Sequence, residues 1–287
     1  MTERLADVSA RISGVRQLGS IVNAMRGIAA ARAQQARNQV LAVDAYAATI
    51  AQAIERALAL RPVESDIVRR TASRPLLILF CAEQGFAGAF TEHVLDFARG
   101  ELGKSKIYLI GSRGEAIASE RGVAHGWKSS MPSHSSGVPK LADRIGEALF
   151  ADIADDEIDR ADIVFNQWRP AEGVHVERRR LFPLDLAVFK TASEAPAPLT
   201  YLKPETLLAE LTFAYMHAQL CNAALHAFAA ESEARMEAMA RAHGEVERNL
   251  NSLLSTQRIV RQEEITAEII ELSAGVAATA GFASHSS

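Results

Sequence analysis

The turn Glu83-Gln84-Gly85-Phe86-Ala87-Gly88 follows an apolar run, and a glycine-containing turn there could aim backbone N–H groups at a phosphate. A phosphate loop needs either Gly-x-Gly-x-x-Gly or the eight-residue form closing on Gly-Lys-Ser/Thr. This turn has neither spacing and no lysine at its end, so it reads as a plain strand-to-helix connection. The eight histidines include no pair four apart on one helix with a nearby glutamate, so no metal site is expected. No Gly-x-Ser-x-Gly elbow is present, and Cys81 sits inside an apolar run where a thiolate is disfavoured. The expectation is therefore of no catalytic residue, no cofactor and no metal. Arg178, Arg179 and Arg180 could be a docking patch, but a solvated edge that protects a sheet from aggregation is the preferred reading. More informative are Arg261, Gln262, Thr266 and Glu268, interleaved with Val260, Ile265, Ile269 and Leu272. On a lone helix pair they form its solvated face, and pattern alone leaves that reading and a functional one open.

The elements that must position these residues follow from proline placement. All nine prolines lie between Pro62 and Pro204, so the chain divides into an N-terminal arm (1–60), a middle (61–203) and a C-terminal arm (204–287). In the first arm Leu5, Val8, Ile12, Val15, Gly19 and Val22 keep a three-four spacing. The stripe is then expected to slide by one position to Leu18, Ile21, Met25 and Ile28, as a 3.6-residue turn does against a 3.5-residue repeat. The C-terminal arm repeats the pattern with Met239, Val246, Leu250, Leu253 and Val260, then Ile265, Ile269, Leu272 and Val276. Residues 1–60 carry net charge +3 and residues 205–287 net charge −6, which favours an antiparallel intramolecular coiled coil. Sixty helical residues span roughly 90 Å, so much of the pair should protrude from a small domain.

The middle alternates apolar runs at 75–82, 106–111, 161–166 and 174–181 with helical stretches at 91–102, 113–121 and 139–153. That alternation predicts a mostly parallel, Rossmann-like sheet covered on both faces. The polar stretch from Ser129 to Pro139 reads as a mobile loop. At 287 residues and 48% hydrophobic, the chain can bury a core for one or two domains, which excludes a disordered tail. A formal charge of −4 lacks the footprint of a nucleic-acid binder. Two distant cysteines fit a reducing, cytoplasmic compartment, and neither a secretion signal nor a membrane-spanning apolar run is expected.

The stretch Arg258 to Gly275, with Arg261-Gln262 ahead of Ile265-Thr266-Ala267-Glu268 and Glu271 ahead of Ala274-Gly275, resembles the C-terminal signature of the gamma subunit of F-type ATP synthases. Val276 stands where that family usually has alanine. Arg11-Ile12, Ala24-Met25 and Ile28-Ala29-Ala30-Ala31-Arg32 are similar to the family's first helix. Glu83 to Gly88, Ile110-Gly111-Ser112-Arg113-Gly114 and Glu231 to Met239 are similar to its internal turns and to its Glu-x-x-Ala-Arg-Met segment. Leu18 to Gly27 departs from the family pattern, losing two lysines and a Thr-Gln pair. This points to a divergent branch, with an alternative sodium-pumping or hydrolysis-directed enzyme as one reading.

The resemblance implies a central rotor shaft whose coiled coil enters a hexamer of catalytic and non-catalytic subunits, with an epsilon-type stalk subunit and a membrane ring of ion-carrying subunits as further partners. It would be a peripheral subunit at the cytoplasmic face, with no nucleic-acid partner. By carry-over, Met25, Arg261, Gln262, Thr266 and Glu268 would meet the catalytic subunits, and Glu231 with Arg235 would lie near the ring. None is a catalytic acid, base or nucleophile. The competing readings are a non-rotary coiled-coil adapter with an α/β docking domain, and a nucleotide-using enzyme, against which the defective turn at Gly85 argues.

Overall fold

A computed structural model describes residues 2–60, 74–185, 189 and 200–283. The expected boundary at residue 61 and the side chain of Val276 lie outside the described residues. Two long helices, α1 (Thr2–Leu58) and α5 (Pro204–Ala283), bracket β1 (Pro75–Phe80), α2 (Phe90–Ala98), β2 (Lys106–Ile110), α3 (Ser112–Glu120), β3 (Trp127–Ser129), α4 (Val138–Ala154), β4 (Arg160–Arg169) and β5 (Gly173–Phe182). The chain divides into two compact units, one of Met1–Gly27 with Glu237–Ser287 and the other Ile28–Met236. Each long helix contributes to both.

In the first unit the two helical segments run antiparallel. Arg4 pairs with Glu263 at 3.3 Å, Gln257 donates to Ser9 at 3.0 Å, and a Cβ on Gly19 would come 3.2 Å from Val246. The seam holds Val8, Ile12, Val22, Met239, Leu253 and Val260. Gly19, a helix-weakening residue on propensity alone, sits where the partner helix comes closest. The expected slide of the seam does not occur. Leu18 and Ile21 are half-exposed, as are Ile265, Ile269 and Leu272 on α5. A pair of helices buries one stripe of each, which leaves Leu18 and Ile21 outside it, while Ile265, Ile269 and Leu272 lie past the Arg4–Glu263 pairing near the start of α1. Charge also contributes less than expected: Arg4–Glu263 is the cross-helix ion pair here among the described residues, while Arg26 turns to Asn23 of its own helix.

In the second unit the five strands are ordered β3-β2-β1-β4-β5, the first four parallel and β5 antiparallel to β4. Residues of β1 alternate between faces, as the strand period of two requires. Leu76, Ile78 and Phe80 join a core with Leu141, Ile145 and Leu149 of α4 and with the stretch of α5 from Met216 to Ala229. Leu77 and Leu79 pack with Cys81 against Val94 and Leu95 of α2 and Ala118 of α3. Coverage on both faces explains why the parallel strands read as unbroken apolar runs. The three-residue β3 leaves no period in the sequence and was not anticipated. The segment expected to be a mobile loop is packed: Met131 and Ser135 are buried, and Ser135–Gly137 forms a short 3₁₀ turn before α4.

The three arginines do lie on the edge strand β5, but they are neutralised rather than simply solvated. Asp162 is 2% exposed and accepts from Arg160, Arg178 and Arg180. Burial alone would raise its carboxyl, yet the three guanidinium hydrogen bonds hold it below the ordinary value. Arg178 also grips Glu101, whereas Arg179 crosses to the other face, stacks over Phe165 and bonds Gln219 and Asn222 of α5.

Two substitutions of glycine should move stability in opposite directions. A Cβ on Gly114 would overlap that of Cys81, so Gly114→Ala should cost about 2 kcal/mol in urea unfolding. Gly146 sits inside α4 with open space around its Cα, so Gly146→Ala should add about 0.5–1 kcal/mol. Asp162→Asn removes the buried charge that three partly exposed arginines share and leaves them to turn to solvent or, for Arg178, to Glu101, so it should cost about 1–2 kcal/mol. Because the Asp162 carboxyl is depressed in the fold, its contribution is complete above the unfolded carboxyl value near pH 4. It is lost as pH falls further, so the melting temperatures of the wild-type chain and of the Asp162→Asn variant should converge in acid.

Candidate functional site: an exposed helical surface and a braced turn

The residues singled out in the C-terminal arm are placed on the surface of the first unit. Arg261, Gln262, Thr266 and Glu268 are exposed on α5, and Met25 is half-buried on α1. Thr266 donates its hydroxyl to the Gln262 carbonyl at 2.8 Å, one turn back along its own helix, which leaves its oxygen lone pairs facing outward. Gln262, Glu263 and Thr266 line a shallow concavity with Ile259, Ala267 and Ile270. Around these polar groups the surface is apolar: Ile259 is 56% exposed, Ile265 51%, Ile269 58%, Ile270 62% and Leu272 66%. Polar side chains set among large exposed aliphatic ones have the composition of a protein contact, because water gains nothing from such a stripe.

The turn after β1 lies at the carboxyl ends of the parallel strands, where open α/β sheets bind their ligands. Two of its backbone donors are already taken. The N–H groups of Glu83 and Gln84 both donate to the Glu231 carboxylate of α5, at 3.1 and 3.0 Å. The Glu83 carboxylate in turn accepts from the backbone and hydroxyl of Ser112, each at 2.9 Å, and from the Met131 N–H at 2.8 Å. The chain's own carboxylates cap these donors. Gly111, with φ of +111°, and Gly114 let the β2–α3 turn close onto Cys81 and Ala82, which accounts for the paired glycines. Burial, followed by the nearby charges of Glu231 and Glu92, pushes the Cys81 thiol up to about 12, so it offers no nucleophile at neutral pH.

Glu231 and Arg235 are 5% and 7% exposed, and they bond each other one turn apart. Arg235 also donates to the Gly85 carbonyl at 3.1 Å. Their polar atoms are spent inside the chain, so the ring contact expected of them is not carried by exposed groups. Sequence reading missed Glu83 and Asp162 as organising residues, because a lone carboxylate in a turn or strand has no pattern of its own. Among the described residues, no group of three His, Cys, Asp or Glu side chains could hold a metal ion, and no helix is long and apolar enough to cross a membrane.

The ATP synthase family model matches residues 4–279, nearly the whole chain. The chain belongs to the ATP synthase gamma-chain family. It is 30% identical to the ATP synthase gamma chain of Pseudarthrobacter chlorophenolicus, over 94% of this chain and 96% of that one. It is 26% identical to the gamma chain of Bdellovibrio bacteriovorus, over 96% and 99% of the two chains. Its fold is like that of a chain in the rotor of the Euglena gracilis mitochondrial ATP synthase, with a TM-score of 0.64 at 15% identity, covering 92% of this chain and all of that one. Membership makes the chain a non-catalytic subunit of the enzyme's central stalk, and the adapter reading is not favoured.

With the Glu83 and Gln84 donors engaged by a carboxylate and no phosphate-loop spacing in the turn, the isolated chain should give no heat on calorimetric titration with millimolar Mg-ATP or NAD. Saturable binding of either would overturn this account of the turn.

Proposed function

We propose that the chain is the shaft through which ion flow in a membrane ring is coupled to ATP synthesis or hydrolysis on catalytic subunits. The observation that carries this reading is the exposed aliphatic stripe on the antiparallel helix pair. It is extensive enough to need a covering of other chains, and it is interrupted by Gln262 and Thr266, which can hydrogen-bond to them. The first unit is taken to meet the hexamer of catalytic and non-catalytic subunits, with Met25, Arg261, Gln262, Thr266 and Glu268 at that contact. An epsilon-type stalk subunit and the membrane ring are the further partners, and the assembly stands at the cytoplasmic face. The arms 1–60 and 204–287 serve as the shaft and 61–203 as the domain that it carries.

The mechanism needs no acid, base or nucleophile from this chain. A helix pair has different residues at every angle around its axis, so a pseudo-symmetric collar meets a different surface at each catalytic subunit. Differential contact free energy shifts each subunit between conformations that bind ADP, phosphate and ATP unequally. Rotation then exchanges those states in turn, and reversing the torque reverses the exchange.

Gln262→Ala and Thr266→Ala should leave the melting temperature of the chain within a degree or two, since both groups are exposed and bond little inside it. In the assembled enzyme they should lower ATP-driven ion uptake or the yield of complex by about two- to tenfold, the range of one lost interfacial hydrogen bond. Unchanged assembly, uptake and ATPase activity would remove these residues from the contact.

A further inference from the structure

We infer that Glu231 and Arg235 are positioning residues for rotary coupling: they lock the rotational setting of α5 against the α/β sheet through the turn Glu83–Gly85. The inference rests on the rotor reading above and deepens it. In this unit α5 packs on the sheet with a face rich in small residues, Ala223, Ala224, Ala227, Ala229 and Ala230 all being buried. From Ala223 to Ala230 this surface allows close approach but offers few knobs to interdigitate, Leu225 and Phe228 being the large side chains within it and Met216 and Leu220 lying one to two turns before. Dispersion and burial hold a smooth helix to a surface without fixing the angle about its axis. Hydrogen bonds do fix that angle, because they weaken steeply when bent or stretched.

The buried polar side chains of α5 are grouped where such a lock is needed: Asn222, Glu231, Ser232, Glu233 and Arg235 are each 7% exposed or less. Asn222 bonds Asp44 of α1 and Arg179 of β5, and Glu233 pairs with Arg37 of α1. Glu231 and Arg235 grip one turn from two sides, the carboxylate accepting from two N–H groups and the guanidinium donating to a carbonyl. Through the Glu83 side chain that turn is tied to Ser112 at the start of α3 and to Met131 after β3. A twist of α5 is therefore delivered to the connections after three parallel strands, rather than dissipated by slip over an alanine surface. Registry is the best-supported use of polar groups buried at such cost.

The test uses the assembled ATP synthase in membrane vesicles carrying the wild-type chain, Glu231→Ala or Glu231→Gln. ATP hydrolysis is measured beside ATP-driven uptake of protons by a pH-sensitive dye and of radioactive sodium, and amide exchange is measured on the isolated chains. Glu231→Ala should speed exchange at the Glu83 and Gln84 amides about tenfold or more, the effect of losing a charge-assisted hydrogen bond. It should lower the number of ions taken up per ATP hydrolysed by at least about twofold, whereas Glu231→Gln, which keeps one acceptor, should restore part of both. A merely structural role would reduce stability and yield but leave the ratio in the surviving complexes unchanged, and that result overturns the proposal, as does unaltered exchange. Should Glu231→Ala not assemble, Arg235→Lys and Glu83→Gln weaken the same brace and are read the same way. If the wild-type chain fails to join catalytic and ring subunits, the rotor reading fails and the coupling role with it, while exchange still reports whether the brace exists.

Discussion

A two-helix pair can bury one stripe on each helix, and this chain has more aliphatic residues on its first unit than one seam can accept. Val8, Ile12, Val22, Leu253 and Val260 fill the seam, so Leu18, Ile21 and Ile259 are left on the outside, and Ile269 and Leu272 lie past the start of α1 with no helix of this unit to face them. At roughly 25 cal/mol per Å² of apolar surface, covering several such side chains is worth several kcal/mol to whatever covers them. That unfilled demand accords with the family's place in a larger enzyme.

The second unit meets the opposite requirement. Its sheet is covered on both faces and its polar groups are turned inward, with Asp162 among three arginines and Glu231 among two amides and Arg235. Buried charges of this kind are expensive to place and more expensive to orphan, so they gain little stability over an apolar core and much definition of geometry. The edge strand β5 shows the same economy: arginines that could have waved in solvent are folded over both faces of the sheet.

Periodicity revealed the long helices because neither contains a proline after its first residue and both repeat aliphatic residues at three-four spacing. The parallel strands were legible for a related reason: burial on both faces leaves no polar alternation, as in Leu76 to Phe80. What escaped was either too short or non-local. Three residues cannot show a period, which hid β3. The continuation of the seam was misjudged because a heptad pattern says which residues share a stripe and not whether a second helix faces it. Glu231 and Arg235 belong to a recognisable segment, yet sequence could not say that their partners are the backbone of a turn some 150 positions away. The residues proposed as contacts were given that role through family resemblance, since Arg261, Gln262 and Glu268 are indistinguishable from ordinary solvated side chains by pattern alone.

The Arg4–Glu263 pairing lies close to the start of α1, and α5 continues for some twenty residues beyond it. A solitary helix of that length is marginal in water, because nucleation is costly and no tertiary face supports it. In the unassembled chain the far end of α5 should therefore sample coil as well as helix, and under the rotor proposal an enclosing collar would have to order it. Part of the contact energy would then go into that ordering, so that capture of the tip would be a folding event as well as a docking event.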